Sequence, residues 1–298
     1  MSFMSAMIAA GLRPRDVVAD GRWRRCATED KPRKKNGCYL LDPGGRRGVF
    51  KNYAVDADWH RWQDDTVTPA QAAEIERRAV ELRRREQTKR IAAIEAMRAH
   101  FESLSPLRDG HQYLFDKGLS MRGCEGLRID GGLLVIPMFR GRALMSYQTI
   151  TASGEKKYRY GCPIKGCSYI LGRRDSTVTC LCEGFATGLA IYQSMGSARV
   201  VVCFDAGNMV NVAREIDVRG LVVVCADNDW QTEQRIGSNP GIQKGTAAAD
   251  AIGCGVAAPE GIDGSDWADA LKEGWTQARV RMEIMRSARF VAREAVTQ

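Results

Sequence analysis

Acidic side chains follow three apolar segments of the sequence, at the point where each segment ends. Glu183 follows "TVTCLC", Asp205 follows "ARVVVCF", and Asp227 and Asp229 follow "LVVVCA" with one asparagine between them. Neighbouring carboxylates repel one another unless a cation neutralises them, and Mg²⁺ binds carboxylate oxygens while it keeps several water ligands. The residue types therefore predict a divalent-metal site that could align the oxygens of a phosphoryl transfer.

Helical segments separate these apolar runs and would have to position the carboxylates. Helices are predicted near 186–195, 208–217 and 244–252, and a short last strand, "GVAAP", follows them. Near-continuous apolar strands that alternate with helices are typical of a parallel sheet covered on both faces. The carboxyl ends of such strands meet at one edge, so we predict an α/β, mostly parallel sheet with all four carboxylates at that edge.

A further acidic segment follows the last predicted strand. "GIDGSDWADAL" contains Asp263, Asp266 and Asp269, and right-handed crossovers would bring this turn to the same edge. An aspartate after a strand can instead cap a helix or stabilise a turn. That alternative stays open for Asp205, because "DAGN" is also a turn sequence.

Small and hydroxyl residues surround the start of the first of these helices, at Gly184, Thr187 and Gly188. Backbone N–H groups and the helix dipole attract anions at such a position. The segment therefore favours a phosphate-binding place beside the carboxylates.

Residues 1–65 have the pattern of a separate, strand-rich and basic module. Residues 13–51 contain twelve Lys or Arg and five Asp or Glu, a net charge of +7 in a chain whose net charge is +8. A basic field of this kind favours a polyanionic partner. Aromatic residues alternate with these cations at Trp23, Tyr39, Phe50, Tyr53, Trp59 and Trp62. The rings could stack on the bases of a single strand or form the core of the module, and the sequence leaves both readings open.

A helical connector is predicted over residues 66–105. Thr68 and Pro69 are a favourable N-cap and first helical residue, and apolar residues recur at helical spacing at Ile91, Ile94, Met97, Phe101 and Leu104. The polar first part reads as a solvated helix, with contact along nucleic acid as the alternative. Residues 106–175 then predict an antiparallel meander, with strands near 127–130, 132–138 and 143–150.

The ten cysteines predict core packing more than metal binding. Several lie inside apolar strands, where a free thiol behaves as a small hydrophobe: Cys180, Cys182, Cys203 and Cys225. The pairs Cys26/Cys38 and Cys162/Cys167 lack the C-x2-C spacing of a zinc ribbon, so zinc is not expected. No run of about 18 apolar residues occurs and the start lacks a basic n-region, which predicts a cytoplasmic protein without a membrane partner.

Three segments, "LCEGFATGLAIY", "VVVCADND" and "GSDWADAL", resemble the toprim domain, which has a glutamate after its first strand and D-x-D after its third. Over nearly its whole length the chain resembles the toprim-type primases of phages and conjugative plasmids. The wider resemblance includes "GRWRRCATEDKPRKKNGCYLL", "LLVIPM", "GCPIKGCSYILG" and "NPGIQKGTAAADAIG". It implies a DNA-directed RNA polymerase that makes short RNA primers on single-stranded DNA from ribonucleoside triphosphates.

The resemblance also implies roles for particular residues. Glu183 would be a metal ligand or acid–base group, and Asp227 and Asp229 would hold two or more Mg²⁺ or Mn²⁺ ions. Asp266 and Asp269 would match the later acidic motif as further ligands, with Asp205 as an additional candidate. Nucleotide phosphates or template would meet Lys156, Lys157, Arg159, Lys165, Arg173, Arg174 and Lys244. In the amino-terminal module the candidate DNA contacts are Arg22, Trp23, Arg24, Lys34 and Lys35.

In domain terms, the resemblance makes residues 106–175 the amino-terminal subdomain of a primase core, 176–275 the toprim domain and 276–298 a carboxy-terminal helix. The chain departs from zinc-binding primases, so module 1–65 would be a zinc-free DNA-binding domain. Residues 230–243 are predicted to form a flexible loop over the metal site.

No G-x4-G-K-[ST] motif occurs in the sequence, so a separate replicative helicase is the expected partner. A toprim nuclease and a non-catalytic single-stranded-DNA-binding replication protein remain the alternatives. The host element, a phage, plasmid or chromosome, is not fixed by the sequence.

Overall fold

Two units divide the chain, Met1–Ile91 and Ala92–Gln298, and each is described by itself. The computed structural model describes residues 1–64, 69–218 and 220–292. The mixed α/β class predicted from the sequence is confirmed.

Unit 1 contains a five-stranded antiparallel sheet in the order β1-β2-β3-β4-β5. Its elements are helix α1 (Phe3–Ala9) and strands β1 (Leu12–Arg13), β2 (Arg24–Thr28), β3 (Gly37–Leu41), β4 (Arg47–Asn52) and β5 (His60–Gln63). The β3–β4 turn forms because the Asp42 carboxylate accepts the Arg46 N–H at 2.7 Å. Phe3, Tyr39 and Phe50 pack together in the core of the unit.

Helix α2 (Pro69–Ser103) begins where the sequence predicts. The predicted N-cap, Thr68, lies outside the described residues. In the part of α2 that belongs to unit 2, Ile94, Met97 and Phe101 are buried against the second sheet, as their helical spacing predicts. Ile91, at the end of unit 1, is exposed.

A second five-stranded antiparallel sheet, in the order β10-β9-β8-β7-β6, follows α2. Its elements are β6 (Ser105–Pro106), helix α3 (Gln112–Asp116), β7 (Arg128–Asp130), β8 (Leu133–Arg140), β9 (Ala143–Ile150) and β10 (Lys156–Tyr158). The predicted meander is therefore present. Alternate residues of β8 face different clusters, with Val135 against α2 and Leu134 and Ile136 in the main core.

The third sheet has the strand order β11-β13-β12-β14-β15, with β16 also paired to β14. Its strands are β11 (Tyr169–Leu171), β12 (Val178–Cys182), β13 (Arg199–Val202), β14 (Gly220–Cys225), β15 (Gly255–Ala257) and β16 (Arg289–Val291). β12 pairs in parallel with β13 and β14, and β14 with β15, whereas β11 and β16 pair antiparallel.

Helices follow the strands of this third sheet, and those with buried residues, all except α6, complete two apolar clusters that alternate along its strands. The helices are α4 (Phe185–Met195), α5 (Ala206–Glu215), α6 (Trp230–Ile236), α7 (Pro240–Asp250), α8 (Trp267–Lys272) and α9 (Gln277–Ser287). On β13, Val200 and Val202 belong to one cluster and Val201 to the other. Continuous valine runs are needed because both faces of these strands are buried.

Two local predictions require correction. Residues 230–243 do not form one loop, because α6 occupies their first half and Asn239 caps α7 by accepting the Ile242 N–H at 3.2 Å. The predicted carboxy-terminal helix is α9 followed by β16, which pairs with Gly220–Val222 of β14. β15 pairs only with Val223–Cys225, so the remainder of that edge of β14 is available to β16.

The four cysteines that the sequence places inside apolar strands lie in the core of the protein. Cys180, Cys182, Cys203 and Cys225 are fully buried, as predicted for thiols that pack in a core. Across the residues that the structure describes, none of the helices combines the length and apolar character that crossing a membrane requires.

Candidate active site

The predicted carboxylates follow strands whose ends are aligned. Cys182, the last residue of β12, is opposite Val202 of β13 and Cys225 of β14. Glu183 comes directly after β12, and Asp205 and Asp227 follow shortly after the other two ends. The register therefore brings these side chains to the same edge of the sheet.

The carboxylates at this edge are near enough to influence one another's ionisation. Burial raises the pKa of Glu183, the charges of Asp205 and Asp229 raise it further, and the ammonium of Lys156 opposes the shift. The site therefore concentrates negative charge that one lysine offsets only in part.

Among the carboxylates at this edge, Asp227 has the most strongly shifted pKa. Burial raises its pKa well above the ordinary value, and Asp266, Glu183 and Asp229 add to the shift. Lys156 again acts in the opposite direction. Asp227 and Glu183 thus share their electrostatic neighbours, which makes them parts of one site.

Two helix N-termini meet this edge. The Thr187 hydroxyl, in the first turn of α4, lies 3.5 Å from Oδ1 of Asp227, a long hydrogen bond. At the start of α7, the Gly241 N–H donates to Oδ2 of Asp229 at 2.9 Å. The Asp229 N–H donates in turn to Oδ1 of Asn239 at 3.1 Å. The backbone at the start of α7 therefore fixes the second carboxylate of the D-x-D sequence.

Lys156, on β10 of the second sheet, is the predicted cation that reaches the carboxylates. A Cβ built on Gly184, the N-cap of α4, would lie 3.7 Å from its Nζ. Its side chain is exposed, and its charge acts on both Glu183 and Asp227. A lysine beside a helix N-terminus is a suitable place for a phosphate group.

A constrained backbone leads into Asp205. Phe204 has φ of 69° and is the one non-glycine residue with a positive φ in the described parts of the chain. Its N–H donates to the Glu183 carbonyl at 2.7 Å, and its carbonyl accepts the Tyr158 hydroxyl at 2.6 Å. Such a backbone is costly, and the surrounding hydrogen bonds hold it at this edge.

Asp205 itself performs the capping role that the sequence left open. Its carboxylate accepts the Gly207 N–H at 2.8 Å and the Asn208 N–H at 3.2 Å, and α5 begins there. It still contributes negative charge to Glu183. Capping and participation in the acidic site are therefore both compatible with its position.

Asp266 and Asp269 already have structural partners. They form a capping box at the start of α8, in which Asp266 accepts the Asp269 N–H at 2.8 Å. Lys117 lies 2.7 Å from Oδ1 of Asp269 and 3.5 Å from Oδ2 of Asp266. Asp266 also raises the pKa of Asp227. Their assignment as metal ligands stays a prediction.

Lys117 is a site residue that the sequence interpretation missed. Burial lowers its pKa, but Asp266 and Asp269 raise it more, so the net shift is upward. It follows α3 and is separated from Asp269 by 152 positions, so no local pattern links the two residues. The available signal was indirect, because the aspartates of "GIDGSDWADAL" require a counter-charge.

Replacing Lys117 with methionine should lower the free energy of unfolding by about 1 to 3 kcal/mol at pH 7. The estimate lies between exposed and buried ion pairs, since the side chains of Lys117 and Asp269 are 27% and 24% exposed. Urea unfolding measures the change. The matched control is Lys272→Met on α8, an exposed lysine that lines the same cavity as Lys117.

The difference in the free energy of unfolding between the parent and Lys117→Met should depend on pH, as the directions of the pKa shifts of Asp269 and Lys117 indicate. Despite burial, which raises it, the pKa of Asp269 is lowered by Lys117 and by the Ser265 backbone. Its contribution is therefore present above the ordinary aspartate pKa and lost as pH falls through the lower folded-state value. The contribution of Lys117 is lost only as pH rises through its raised pKa. The difference in the free energy of unfolding between the parent and Lys117→Met should thus shrink below about pH 3. An equal difference at pH 7 and pH 2.5 would contradict the ion-pair explanation.

The remaining predicted cations are dispersed around the same unit. Lys157 pairs with Glu155 at 3.0 Å, and the guanidinium of Arg159 lies 5.8 Å from the centre of the Tyr147 ring. Lys165 is exposed in the turn before β11, and Lys244 is exposed on α7.

Arg173 and Arg174 lie away from the carboxylates. They follow β11, whose last residue, Leu171, pairs with Val200 near the beginning of β13. Since the carboxylates follow the opposite ends of the parallel strands, these arginines belong to the other edge of the sheet. Arg173 pairs with Asp175 at 2.8 Å. Their assignment as phosphate contacts of this site therefore does not agree with the topology.

In unit 1, two of the predicted DNA contacts are engaged in ion pairs. Arg22 pairs with Glu86, and Arg24 pairs with Asp20 at 2.5 Å. Trp23, Lys34 and Lys35 are exposed.

The donor set fits a hard divalent cation, although it is not closed around one. Among the described residues, no three His, Cys, Asp or Glu side chains form a ready metal-ligand group. Glu183, Asp227 and Asp229 nevertheless supply only oxygen donors, and burial together with neighbouring carboxylates raises the pKa of both Glu183 and Asp227. Mg²⁺ keeps several waters and needs few carboxylates, so this set is chemically suitable for it.

A cavity beside Lys156 gives room for a substrate. Its volume is about 370 Å³, and Tyr113, Lys117, Lys156 and Asp266 are among its lining residues. Three lysines (Lys117, Lys156 and Lys272) and two carboxylates (Asp116 and Asp266) at the wall of one cavity suit a ligand that carries both phosphate and bound metal.

Comparison with known proteins gives these features a family context. Residues 178–275 match the family model of the toprim domain. Two curated relatives from Escherichia coli are both named DNA primase TraC. The first is 29% identical over 253 residues, which cover 79% of this chain and 24% of the relative. The second is 27% identical over 277 residues, which cover 84% of this chain and 19% of the relative. The chain thus spans about a quarter or less of the length of these relatives.

Among solved structures, the primase fragment of the bacteriophage T7 primase-helicase protein has a TM-score of 0.42 and 13% sequence identity, covering 61% of this chain and 78% of that one. A TM-score at this level does not establish a common fold. The family model and the curated relatives agree with the resemblance stated from the motifs. Residues 178–275 match the toprim domain, and the chain is similar to toprim-type DNA primases.

Proposed function

We propose that this chain is the primase part of a replication protein and synthesises short RNA primers on a single-stranded DNA template. The observation that carries the proposal is the gathering of Glu183, Asp227 and Asp229 beside Lys156 at one edge of the toprim-like sheet. The similarity to DNA primases TraC supports the same activity. The substrates would be ribonucleoside triphosphates.

The proposed arrangement assigns separate tasks to the two sheets of unit 2. The antiparallel sheet of residues 106–175 would be the amino-terminal subdomain of a primase core, and it supplies Lys156 from β10. Residues 176–275 would be the toprim domain with a mostly parallel sheet, and they supply the carboxylates. The nucleotide would therefore be held between residues from both parts.

Glu183, Asp227 and Asp229 would hold Mg²⁺ or Mn²⁺, in two or more ions. When bound, the ions supply charge neutralisation and alignment of the attacking and leaving oxygens. Lys156 and the N-terminus of α4 would bind phosphate oxygens, since both present positive charge at one place.

The partners follow from the same proposal. Single-stranded DNA would be the template, and a separate replicative helicase would supply unwinding. We place the protein in the cytoplasm and its gene on a phage or another mobile element.

Primer synthesis on a defined template library tests the proposal. The purified chain is incubated with labelled ribonucleoside triphosphates, Mg²⁺ or Mn²⁺, and single-stranded DNA that presents every trinucleotide. We expect short labelled oligoribonucleotides that require metal and disappear in EDTA. A labelled DNA strand that is shortened would identify a nuclease, and DNA binding without either reaction would identify an accessory protein.

A further inference from the structure

Three aromatic side chains of unit 1 form an exposed cluster. Trp23, Tyr53 and Trp59 are 57%, 46% and 39% exposed. The ring centres of Trp23 and Trp59 are 4.9 Å apart, and those of Tyr53 and Trp59 are 6.1 Å apart. Exposing three large rings in contact is costly in water, so the cluster is a candidate binding surface.

The cluster is separate from the core of the unit. Tyr39 and Phe50 are opposite each other on β3 and β4 and are buried with Phe3. The neighbouring row of the sheet, Arg25, Cys38 and Lys51, is also aligned across β2, β3 and β4. Because successive residues of a strand face opposite sides, this second row belongs to the other face of the sheet.

Cations of this second row contact the exposed rings. The Arg25 guanidinium lies 4.7 Å from the centre of the Tyr53 ring. The Lys51 ammonium lies 5.9 Å from the Tyr53 ring and 6.0 Å from the Trp59 ring. Tyr53 also interacts through its hydroxyl with the Cys38 thiol. The face therefore combines flat rings with positive charge.

A basic loop adjoins the cluster. The N–H of Tyr53 donates to the Asn36 carbonyl at 3.2 Å, so the end of the β2–β3 loop lies beside it. This loop carries four exposed cations: Lys31, Arg33, Lys34 and Lys35. Its charge complements a phosphate backbone that passes along the exposed rings.

We propose that Trp23, Tyr53 and Trp59, with Arg25 and Lys51, form a stacking platform for single-stranded DNA. Unpaired bases expose flat faces that pack on aromatic rings, whereas the bases of a duplex are already stacked on one another. Arg25 and Lys51 would contact phosphates next to the stacked bases. The platform would bind without strong sequence preference, because every base has a flat aromatic face.

The platform goes beyond the proposed primer synthesis and does not require it. All its residues lie in unit 1, whereas the carboxylates lie in unit 2. Binding can be measured in EDTA without nucleotides, so its outcome is independent of polymerisation.

Fluorescence anisotropy of the full chain with labelled oligodeoxythymidylate of about 16 nucleotides tests this inference. We expect Trp59→Ala and Trp23→Ala each to raise Kd about tenfold, and Trp59→Phe to raise it less because an aromatic ring remains. Parent tryptophan fluorescence should also be quenched by the oligonucleotide. Arg25→Ala should weaken binding and reduce the slope of log K against log salt by about one.

Two control variants test whether the loss of an exposed ring or cation outside the platform also weakens binding. Phe290→Ala removes a ring that is 74% exposed on β16, and Arg281→Ala removes an exposed cation on α9. Both should bind like the parent. Thermal melting of every variant identifies any that fail to fold, and Trp59→Phe preserves most of the ring volume.

Parent-like affinity of folded Trp59→Ala and Trp23→Ala would overturn the inference. Equal binding of duplex and single strand with the same sensitivity to these changes would also overturn it, as would absence of oligonucleotide binding by the parent. None of these outcomes decides whether Asp227 supports primer synthesis.

Discussion

Replacing Asp227 with asparagine should reduce primer synthesis by more than about a hundredfold while the fold stays intact. Residues that merely support a metal ligand commonly change metal affinity or activity by about 10- to 100-fold, so loss of a ligand should cost more. Asparagine has nearly the same shape as aspartate but cannot supply the anionic oxygen. Primer synthesis at saturating nucleotide measures the change.

Although Asp227→Asn should lose activity, its folded state in the absence of metal should be at least as stable as that of the parent. Burial and the charges of Asp266 and Glu183 raise the pKa of Asp227, which means that its ionised form destabilises the metal-free fold. The neutral amide removes this repulsion, so Asp227→Asn should melt at the same temperature as the parent in EDTA or at a higher one. Added Mg²⁺ should raise the melting temperature of the parent and much less that of the variant.

Asp250→Asn is the matched control for this pair of measurements, because it neutralises an exposed aspartate at the end of α7. It should retain parent activity and parent stabilisation by Mg²⁺. If Asp227→Asn retained more than a tenth of the parent activity, or if it unfolded in EDTA, Asp227 could not have the role assigned to it.

Strand ends were the most predictable part of this site. The runs before Glu183, Asp205 and Asp227 are apolar because both faces of β12, β13 and β14 are buried. A carboxylate directly after such a run must lie at the sheet edge, whatever the details of the connecting helices. Local sequence therefore predicted which residues gather there.

Contacts between distant segments were not predictable in the same way. Lys117 meets Asp269 across 152 positions, and neither residue has a local pattern that identifies the other. The position of Arg173 and Arg174 in the sheet was not predictable for a related reason. Basic character alone does not reveal that β11 runs antiparallel to β13 and carries these residues to the other edge.

Short elements were missed where tertiary pairing decides the conformation. The edge of β14 left open beside β15 gives β16 its hydrogen-bond partners, although the segment itself resembles the end of a helix. Helix α6 depends partly on the Trp230 indole, which donates to the Gly264 carbonyl at 3.0 Å. Neither contact can be read from the periodicity of its own segment.

Gly241 allows α7 to approach the D-x-D segment, so its replacement by alanine should disturb the site directly. A Cβ at this position would lie 2.2 Å from the Asp227 carbonyl oxygen and 3.2 Å from Oδ2 of Asp229. The first contact is with backbone, which cannot rotate away as a flexible side chain does. Helix α7 or the strand end must therefore shift.

Two opposing energies decide the effect on stability. Alanine favours a helix over glycine by about 0.5 to 1 kcal/mol. Overpacking beside a rigid backbone costs about 1 to 3 kcal/mol, so the net free energy of unfolding should fall. The φ of Gly241 is not positive, which leaves steric overlap as the cause.

Activity should fall further than stability in Gly241→Ala. The Gly241 N–H fixes Asp229 through its 2.9 Å hydrogen bond, and a displacement of about 1 Å at a reacting centre can cost about a hundredfold in rate. We expect a loss of at least about tenfold in primer synthesis and weaker stabilisation by Mg²⁺ in a protein that still melts cooperatively. Gln243→Ala, at an exposed position of the same helix, should leave both properties unchanged. Parent-level synthesis by Gly241→Ala would show that the approach of α7 does not position Asp229, because the overlap forces this element to move.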